Sequence, residues 1–164
     1  MPNIHHEVVI AATAEKVYHA LTTQEGLSAW WTPHTTAVPE VDAIARFAFG
    51  GDYFKEMRIV ELRPFERVQW LCVAGAQEWI GTTIAFGLQT GDREYLLQTH
   101  PEAADQIQQK ITDGPATILT LRHDNWSDYS PMFAECSYTW AQFLRSLKLA
   151  GETGTGRPWP HQHQ

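Results

Sequence analysis

The sequence predicts an α+β domain in which a curved antiparallel sheet wraps around one long C-terminal helix. A series of β-rich stretches separated by short turns runs from about residue 43 to residue 88, and such short connections favour antiparallel neighbours. A helix predicted over residues 131–149 would span roughly 28 Å, about the width of a small domain. The chain has 164 residues and 43% hydrophobic content, which suits one domain with a single core.

The chain opens with a predicted strand and two predicted helices. Residues 4–11 end in a β-branched run, which is typical of a strand. Thr13 is a suitable N-cap for a helix over residues 14–22. Thr22 and Glu25 have the spacing of a capping box, so a second short helix is expected to follow at once.

Turn residues rich in Gly, Pro and Asp divide the middle of the chain into strands. Strands are predicted over residues 45–49, 53–62, 67–73, 80–88 and 117–123. The segment 91–115 interrupts them before the last strand, and we treat it as an insertion. Within it, residues 94–97 fit an extension of a strand, residues 101–111 fit a helix, and residues 112–115 fit a turn.

The C-terminal helix has clear end signals. Ser130 is a predicted N-cap, Pro131 suits the first helical position, and Gly151 is placed to end the helix. Only the sheet is broad enough to cover the apolar stripe of this helix. The stripe consists of Phe133, Cys136, Trp140, Phe143, Leu144 and Leu147. The domain is thus predicted over residues 1–151. Residues 152–164, rich in Gly, Pro and polar residues, are expected to form a flexible tail.

Charge and cysteine usage exclude several classes of protein. A net charge of −7 disfavours nucleic acid and anionic membranes as partners, because both attract clustered Lys and Arg. Cys72 and Cys136 lie outside any Cys-x-x-Cys spacing and are expected to be free thiols. The N-terminus lacks the pattern of a signal peptide and no apolar run reaches about 18 residues, so we expect a cytoplasmic protein.

Several segments, in consistent order from residue 4 to residue 158, resemble the activator of Hsp90 ATPase homologue 1-like family of the START-like (SRPBCC) superfamily. These segments are residues 4–8, 17–22, 25–32, 60–64, 68–70 and 140–158. The resemblance implies a helix-grip fold, like that of START and Bet v 1-like proteins, with a cavity between the concave sheet and the long helix.

Two features depart from the family pattern. Family members usually have a short hairpin where this chain carries residues 91–115, so this segment either covers the mouth of the pocket or decorates the surface. The eukaryotic co-chaperone after which the family is named has a separate N-terminal domain that contacts Hsp90. The sequence contains no counterpart of that domain, and the resemblance therefore predicts an architecture more directly than an activity.

The aromatic residues supply most of the predicted cavity. The candidates for its lining are Trp30, Trp31, Arg46, Glu56, Trp70, Trp79, His123, Trp126, Trp140 and Phe143. For each Trp, simple core packing is the alternative. Arg46 and Glu56 have the alternative of pairing across strands on the outer face, which we favour. His123 has the alternative of bonding backbone or water at a strand end, and Trp159 in the tail is expected in neither core nor cavity.

The motifs of common enzymes are missing from the sequence. There is no zinc-protease helix motif, no Gly-x-Ser-x-Gly and no phosphate-binding Gly-rich loop. No nucleophile, base and orienting residue can be assembled, so we predict no catalytic residues, no metal site and no cofactor.

Three functions remain open. The favoured one is a carrier or sensor that binds a small apolar or aromatic ligand in the cavity. The second is an enzyme of the cyclase or hydrolase type, in which His123 and Glu56 would transfer protons. The third is a protein-interaction module related to Hsp90 ATPase activation and the stress response, which would expose a contiguous apolar patch. A sheet with free edges is compatible with a monomer and with a homodimer.

Overall fold

The computed structural model describes residues 1–110 and 114–164, and its centre is one antiparallel sheet of seven strands in the order β1-β7-β6-β5-β4-β3-β2. The strands are β1 (Ile4–Ile10), β2 (Thr35–Thr36), β3 (Ile44–Ala48), β4 (Phe54–Arg63), β5 (Arg67–Gly75), β6 (Thr83–Gly91) and β7 (Ala116–Asp124). The helices are α1 (Ala14–Thr22), α2 (Gln24–Trp30), α3 (Arg93–Thr99), α4 (Ala104–Lys110) and α5 (Pro131–Thr153).

The sheet curves around α5, so the predicted fold class is confirmed. Alternate residues of each strand point to the concave face, as the two-residue period of a strand requires. Phe47, Trp70 and Phe86 on this face belong to one buried cluster with Trp140 and Leu144 of α5. The apolar stripe of α5 is thereby removed from water against the sheet, which supplies the main hydrophobic stabilisation of the domain.

The first two helices form where the sequence predicts them, although one cap differs. Thr13 caps α1, since its Oγ1 accepts a hydrogen bond from Lys16 N at 3.1 Å. The cap of α2 is Thr23, whose Oγ1 accepts from Gly26 N at 3.0 Å. The predicted cap, Thr22, is still the last residue of α1, and its hydroxyl donates to the carbonyl of Tyr18.

Helix α5 begins as predicted and ends later. Ser130 Oγ accepts a hydrogen bond from Phe133 N at 3.1 Å. The prediction that Gly151 ends the helix is wrong, because Gly154 occupies the left-handed C-cap position with φ 86°. Gly151 is buried inside the helix, where a Cβ would lie 3.0 Å from Ile10 Cγ2, so its missing side chain lets α5 approach β1 closely.

The insertion is helical in its described part. The predicted strand over residues 94–97 is wrong, because Asp92 caps α3 by accepting a hydrogen bond from Tyr95 N at 2.8 Å. The predicted helix over residues 101–111 is a 3-10 turn (Pro101–Ala103) followed by α4. Its last predicted residue, Ile111, lies outside the described residues, as do Thr112 and Asp113 of the predicted turn.

The insertion packs on the convex face of the sheet, away from α5. Leu96 and Ile107 are buried in a small cluster of their own with Val9 of β1 and Ile118 of β7. Val9 and Ile118 are paired across the two strands and point to the face opposite the main core. The described part of the insertion therefore covers the outer surface of β1 and β7 rather than the inside of the sheet.

The C-terminal segment is docked on the domain, in contrast to the expected flexible tail. Trp159 N donates to Trp31 O at 2.7 Å, and Arg157 N donates to Ser146 Oγ at 2.7 Å. Because the last carbonyls of a helix have no partner inside it, the end of α2 offers acceptors that the tail uses. Gly156 permits this close approach, since a Cβ there would lie 2.5 Å from Ala29 O.

Candidate ligand-binding cavity

A cavity of about 190 Å³ lies beside the first half of α5, between that helix and the concave side of the sheet. Its walls come from the end of α2, the β3–β4 hairpin, the turn before β6, α5 and the docked tail. Seven of its twelve lining residues are aromatic, and the full set is Trp31, Phe49, Tyr53, Lys55, Trp79, Glu135, Cys136, Thr139, Trp140, Phe143, Trp159 and Gln162.

The aromatic wall is backed by a second layer of rings. The ring of Trp31 lies 4.3 Å from that of Phe47, 5.3 Å from that of Trp140 and, stacked, 5.8 Å from that of Trp70. Trp30 also stacks on Trp31, with ring centroids 5.8 Å apart, and its indole N–H donates to Ala20 O. Each of these rings is therefore held in place by contacts with other aromatic side chains.

Lys55 is the charged residue inside this wall. It occupies an inward position of β4, between outward residues, and only 6% of it is exposed. Its Nζ lies 4.1 Å from the ring centroid of Trp79, 4.4 Å from that of Phe49 and 4.6 Å from that of Tyr53. These rings attract the ammonium through their negative faces.

The ammonium of Lys55 has no anion beside it in the described part of the chain, where its Nζ forms neither a salt bridge nor a hydrogen bond. Burial in this apolar surrounding lowers the pKa of Lys55 to about 8. At neutral pH the side chain is therefore still mostly charged, at a cost in solvation that the aromatic rings offset only in part.

The two cysteines are free, as expected from the sequence, and both are buried. Cys136 lines the cavity, and its Sγ accepts a hydrogen bond from Trp79 Nε1 at 3.3 Å. Cys72 Sγ donates to Ala74 O at 3.5 Å. Burial raises the pKa of both thiols, so they stay protonated near neutral pH and are poor nucleophiles.

His123 is fully buried next to the cavity. Two residues form hydrogen bonds with its ring, and one of these two is in turn bonded to a third residue. Its Nδ1 accepts from Trp140 Nε1 at 3.1 Å, so Nε2 carries the proton and donates to Thr82 Oγ1 at 2.8 Å. The Thr82 hydroxyl in turn donates to Trp79 O at 2.6 Å. Burial, together with the charge of Lys55, lowers the pKa of His123 to about 3. This arrangement leaves no nitrogen free for proton transfer.

Arg46 and Glu56 lie on the convex face, outside the cavity. They are paired across β3 and β4 and form a salt bridge of 2.8 Å, and the Arg46 guanidinium lies 4.0 Å from the Phe54 ring centroid. The outer-face pairing that we favoured for them is thus present, and they do not join the lining, because Ala45 and Phe47 take the inward positions of β3. Glu56 and His123 therefore lie on opposite faces and cannot share a proton.

Four of the ten predicted residues line the cavity: Trp31, Trp79, Trp140 and Phe143. Another four, Trp30, Trp70, His123 and Trp126, are buried behind them. Sequence reasoning missed Lys55, although its alternation with Met57 and Ile59 on β4 could have indicated an inward side chain. It also misplaced Trp159, which lines the cavity because the tail is docked.

In residues 1–110 and 114–164 there is no group of three or more His, Cys, Asp or Glu residues that could hold a metal ion. Over the same residues, no helix is both long and apolar enough to cross a membrane.

The family model described as "Activator of Hsp90 ATPase homolog 1-like protein" matches residues 11–152, most of the chain. The chain belongs to this family. No curated protein matches it. The assignment confirms the resemblance found in the sequence.

One solved structure supports the family assignment, and two more distant ones support the fold alone. The solution structure of the Aha1 dimer from Colwellia psychrerythraea has 33% identity and a TM-score of 0.75, over 95% of this chain and 100% of that chain. MLL2253 from Mesorhizobium loti has 15% identity and a TM-score of 0.65, over 90% and 94% of the two chains. DynU16, from the dynemicin biosynthetic locus, has 20% identity and a TM-score of 0.67, over 94% of this chain and 48% of that chain.

Proposed function

We propose that this protein is a carrier or sensor that binds a small apolar or aromatic molecule in the cavity beside α5. The observation that carries the proposal is the wall of seven aromatic residues that lines this space. Apolar walls with few polar groups are typical of small-molecule sites, and most such sites have volumes of about 300–1,000 Å³. At about 190 Å³, this cavity suits a ligand of one or two rings.

The polar groups of the cavity lie where they could orient such a ligand. Lys55 points into the space, and Thr139 and Glu135 border it from α5. Gln162 contributes a buried amide oxygen that has no hydrogen-bond partner in the described residues. A ligand that carries polar substituents on an aromatic body would match this distribution better than a purely aliphatic chain.

Binding can be tested with a panel of one-ring and two-ring aromatic compounds, by NMR shift mapping and native mass spectrometry. We expect binders to perturb Trp31, Trp79 and Trp140. Thr139→Trp, which fills the cavity, should abolish binding, whereas Tyr138→Trp, at an exposed neighbouring position, should not. The proposal is contradicted if no compound binds at millimolar concentration, or if binding survives Thr139→Trp.

A second candidate, interaction with an Hsp90-type chaperone, is favoured by the family match over residues 11–152. The experiment is an ATPase assay of the Hsp90 from the same organism, with and without the purified protein, together with a pull-down. Stimulation by the wild type would support this function, and an unchanged ATPase rate with no recovered chaperone would argue against it.

The dimeric state of the Colwellia relative motivates a related proposal, that this chain also forms a homodimer. The outer strands of the sheet are β1 and β2, and β2 is the more open edge for pairing, because Lys148 of α5 donates to Val9 O on β1. Analytical ultracentrifugation over a concentration series tests it, because a homodimer should sediment at twice the chain mass of 18.6 kDa. A species of single chain mass at all concentrations would refute it.

A further inference from the structure

We infer that the ligand of the cavity carries a carboxylate, which pairs with the ammonium of Lys55 while the apolar body lies among the aromatic rings. The inference rests on the proposed function and specifies the ligand class. It begins from an imbalance of charge in the cavity, where the ammonium of Lys55, a residue that is 6% exposed, has no anion beside it among the described residues.

The surroundings of Lys55 attract a cation but do not neutralise it. Three ring faces lie 4.1 to 4.6 Å from Nζ. Cation–π attraction is weaker than a charge-assisted hydrogen bond. Burial of the ammonium lowers the pKa of Lys55. A carboxylate next to Nζ would supply the missing negative charge. It would also accept hydrogen bonds from the N–H groups of the ammonium, which the rings cannot do as well.

The other titratable groups around Lys55 do not take this role. Cys72 on β5 and Cys136 on α5 stay neutral thiols, since burial raises the pKa of both. His123 on β7 is neutral at pH 7 because its pKa is lowered to about 3, and burial raises the pKa of the Tyr53 phenol. Two acidic residues lie nearby, namely Glu78, which precedes Trp79, and Glu135, which is exposed at the rim of the cavity. Neither forms a salt bridge with Lys55.

A matched series separates the charge of the ligand from its ring. 2-Naphthoate, 2-naphthamide and 2-naphthylmethylammonium share the same two rings, and their dissociation constants can be measured by tryptophan fluorescence at pH 7. We expect naphthoate to bind at least about tenfold more tightly than naphthamide, and the ammonium compound to bind least well, because like charges repel in a buried site.

Two variants then locate the effect. Lys55→Met should remove the preference for naphthoate and leave the affinity for naphthamide within about twofold. Arg58→Met removes the same charge from an exposed position on the same strand and should keep the preference. If naphthamide binds as tightly as naphthoate, or if the preference survives Lys55→Met, the inference is wrong although the proposed function stands. If no member of the series binds, the inference is wrong, and the panel of one-ring and two-ring compounds decides separately whether the proposed function stands.

Proton uptake provides a measurement that needs no variant. Because the pKa of Lys55 is about 8 in the free protein, half of the molecules carry the charge at pH 8. Pairing with a carboxylate raises that pKa, so binding of naphthoate at pH 8 should take up about half a proton, seen by calorimetry in buffers of different ionisation enthalpy. Affinity should fall above pH 8. Affinity that rises there would instead show that the neutral amine binds naphthoate better than the ammonium does, and would overturn the inference.

Discussion

The indole Nε1 of Trp140 donates a hydrogen bond to His123 Nδ1 at 3.1 Å and so ties α5 to β7 at the back of the cavity. The bond places the N–H proton of the neutral imidazole on Nε2, which donates a hydrogen bond to Thr82 Oγ1. A histidine that the sequence suggested as an acid and base is therefore a structural residue. Its importance should appear in stability and its pH dependence rather than in proton transfer.

We predict that His123 makes the folded protein less stable as the pH falls below about 6.5. Its pKa is lowered from 6.5 to about 3 in the folded protein, so the unfolded chain binds more protons below pH 6.5, and stability falls as the pH drops through that value. Between pH 7 and pH 4 the wild type should lose about 3 kcal/mol more than His123→Gln, as measured by urea unfolding.

The control for this prediction is His5→Gln, which changes an exposed histidine of β1. It should follow the wild type over the whole pH range. If His123→Gln loses as much stability as the wild type between pH 7 and pH 4, His123 does not resist protonation in the folded state.

We predict that Lys55 makes the free energy of unfolding depend on pH in the alkaline range. Its pKa is lowered from 10.5 to about 8 by burial, so the unfolded chain binds more protons between these values and stability rises with pH there. The difference in unfolding free energy between the wild type and Lys55→Met should shift by about 2 to 3 kcal/mol in favour of the wild type from pH 7 to pH 10.

At pH 7 itself, Lys55→Met should be more stable than the wild type by about 1 to 3 kcal/mol, because it removes an uncompensated buried charge. Arg58→Met, on the outer face of the same strand, should change stability by less than about 0.5 kcal/mol at any of these pH values. A less stable Lys55→Met at pH 7 would mean that the aromatic rings around Nζ already compensate its charge.

The sequence predicts the order of the elements well, because their signals are local. Thr13 and Ser130 mark helix starts through hydrogen bonds that span three residues, and the alternation of β3 and β4 reflects one buried face. The docked tail could not be predicted in this way. Its hydrogen bond from Trp159 to Trp31 joins residues 128 positions apart, and no periodic pattern indicates such a contact.

The sequence indicated that the cavity is aromatic, but it identified only some of the residues that line it. The long helix and the Trp residues indicated an aromatic space, yet which ring meets the cavity and which packs behind it depends on the curvature of the sheet. Trp70 and Trp31, for example, stack on each other, but only Trp31 reaches the cavity. Arg46 and Glu56 were candidates both for the lining and for outer-face pairing, because a shift of one residue turns a strand side chain to the other face.

The insertion should contribute to stability without affecting the cavity. Ile107→Ala removes a buried side chain that packs with Val9 and Ile118 on the convex face, and it should destabilise the protein by about 2 to 4 kcal/mol. Ile44→Ala, at an exposed site on β3, should cost less than about 0.5 kcal/mol. Both variants should bind the ligand found for the wild type with unchanged affinity, and weaker binding by Ile107→Ala would contradict the separation of the two faces.

Gly156 should control the docking of the tail and thereby the closure of the cavity. A Cβ at this position would lie 2.5 Å from Ala29 O and 3.0 Å from Ser146 O, both backbone atoms that cannot move aside without disturbing α2 or α5. Gly156→Ala should therefore cost about 1 to 3 kcal/mol, the usual range for overpacking, and release the tail. Ligand affinity should fall about tenfold, since Trp159 and Gln162 would leave the wall of the cavity.

Hydrogen exchange of the Trp159 amide reports this release directly, because that amide donates to Trp31 O in the docked state. Its protection should be lost in Gly156→Ala. Gly87→Ala is the matched control, since a Cβ there would meet only Thr120 Cβ, at an ordinary distance of 3.9 Å. It should retain both the protection and the affinity. Full protection of Trp159 in Gly156→Ala would show that the tail is held by its other contacts and that Gly156 is dispensable for docking.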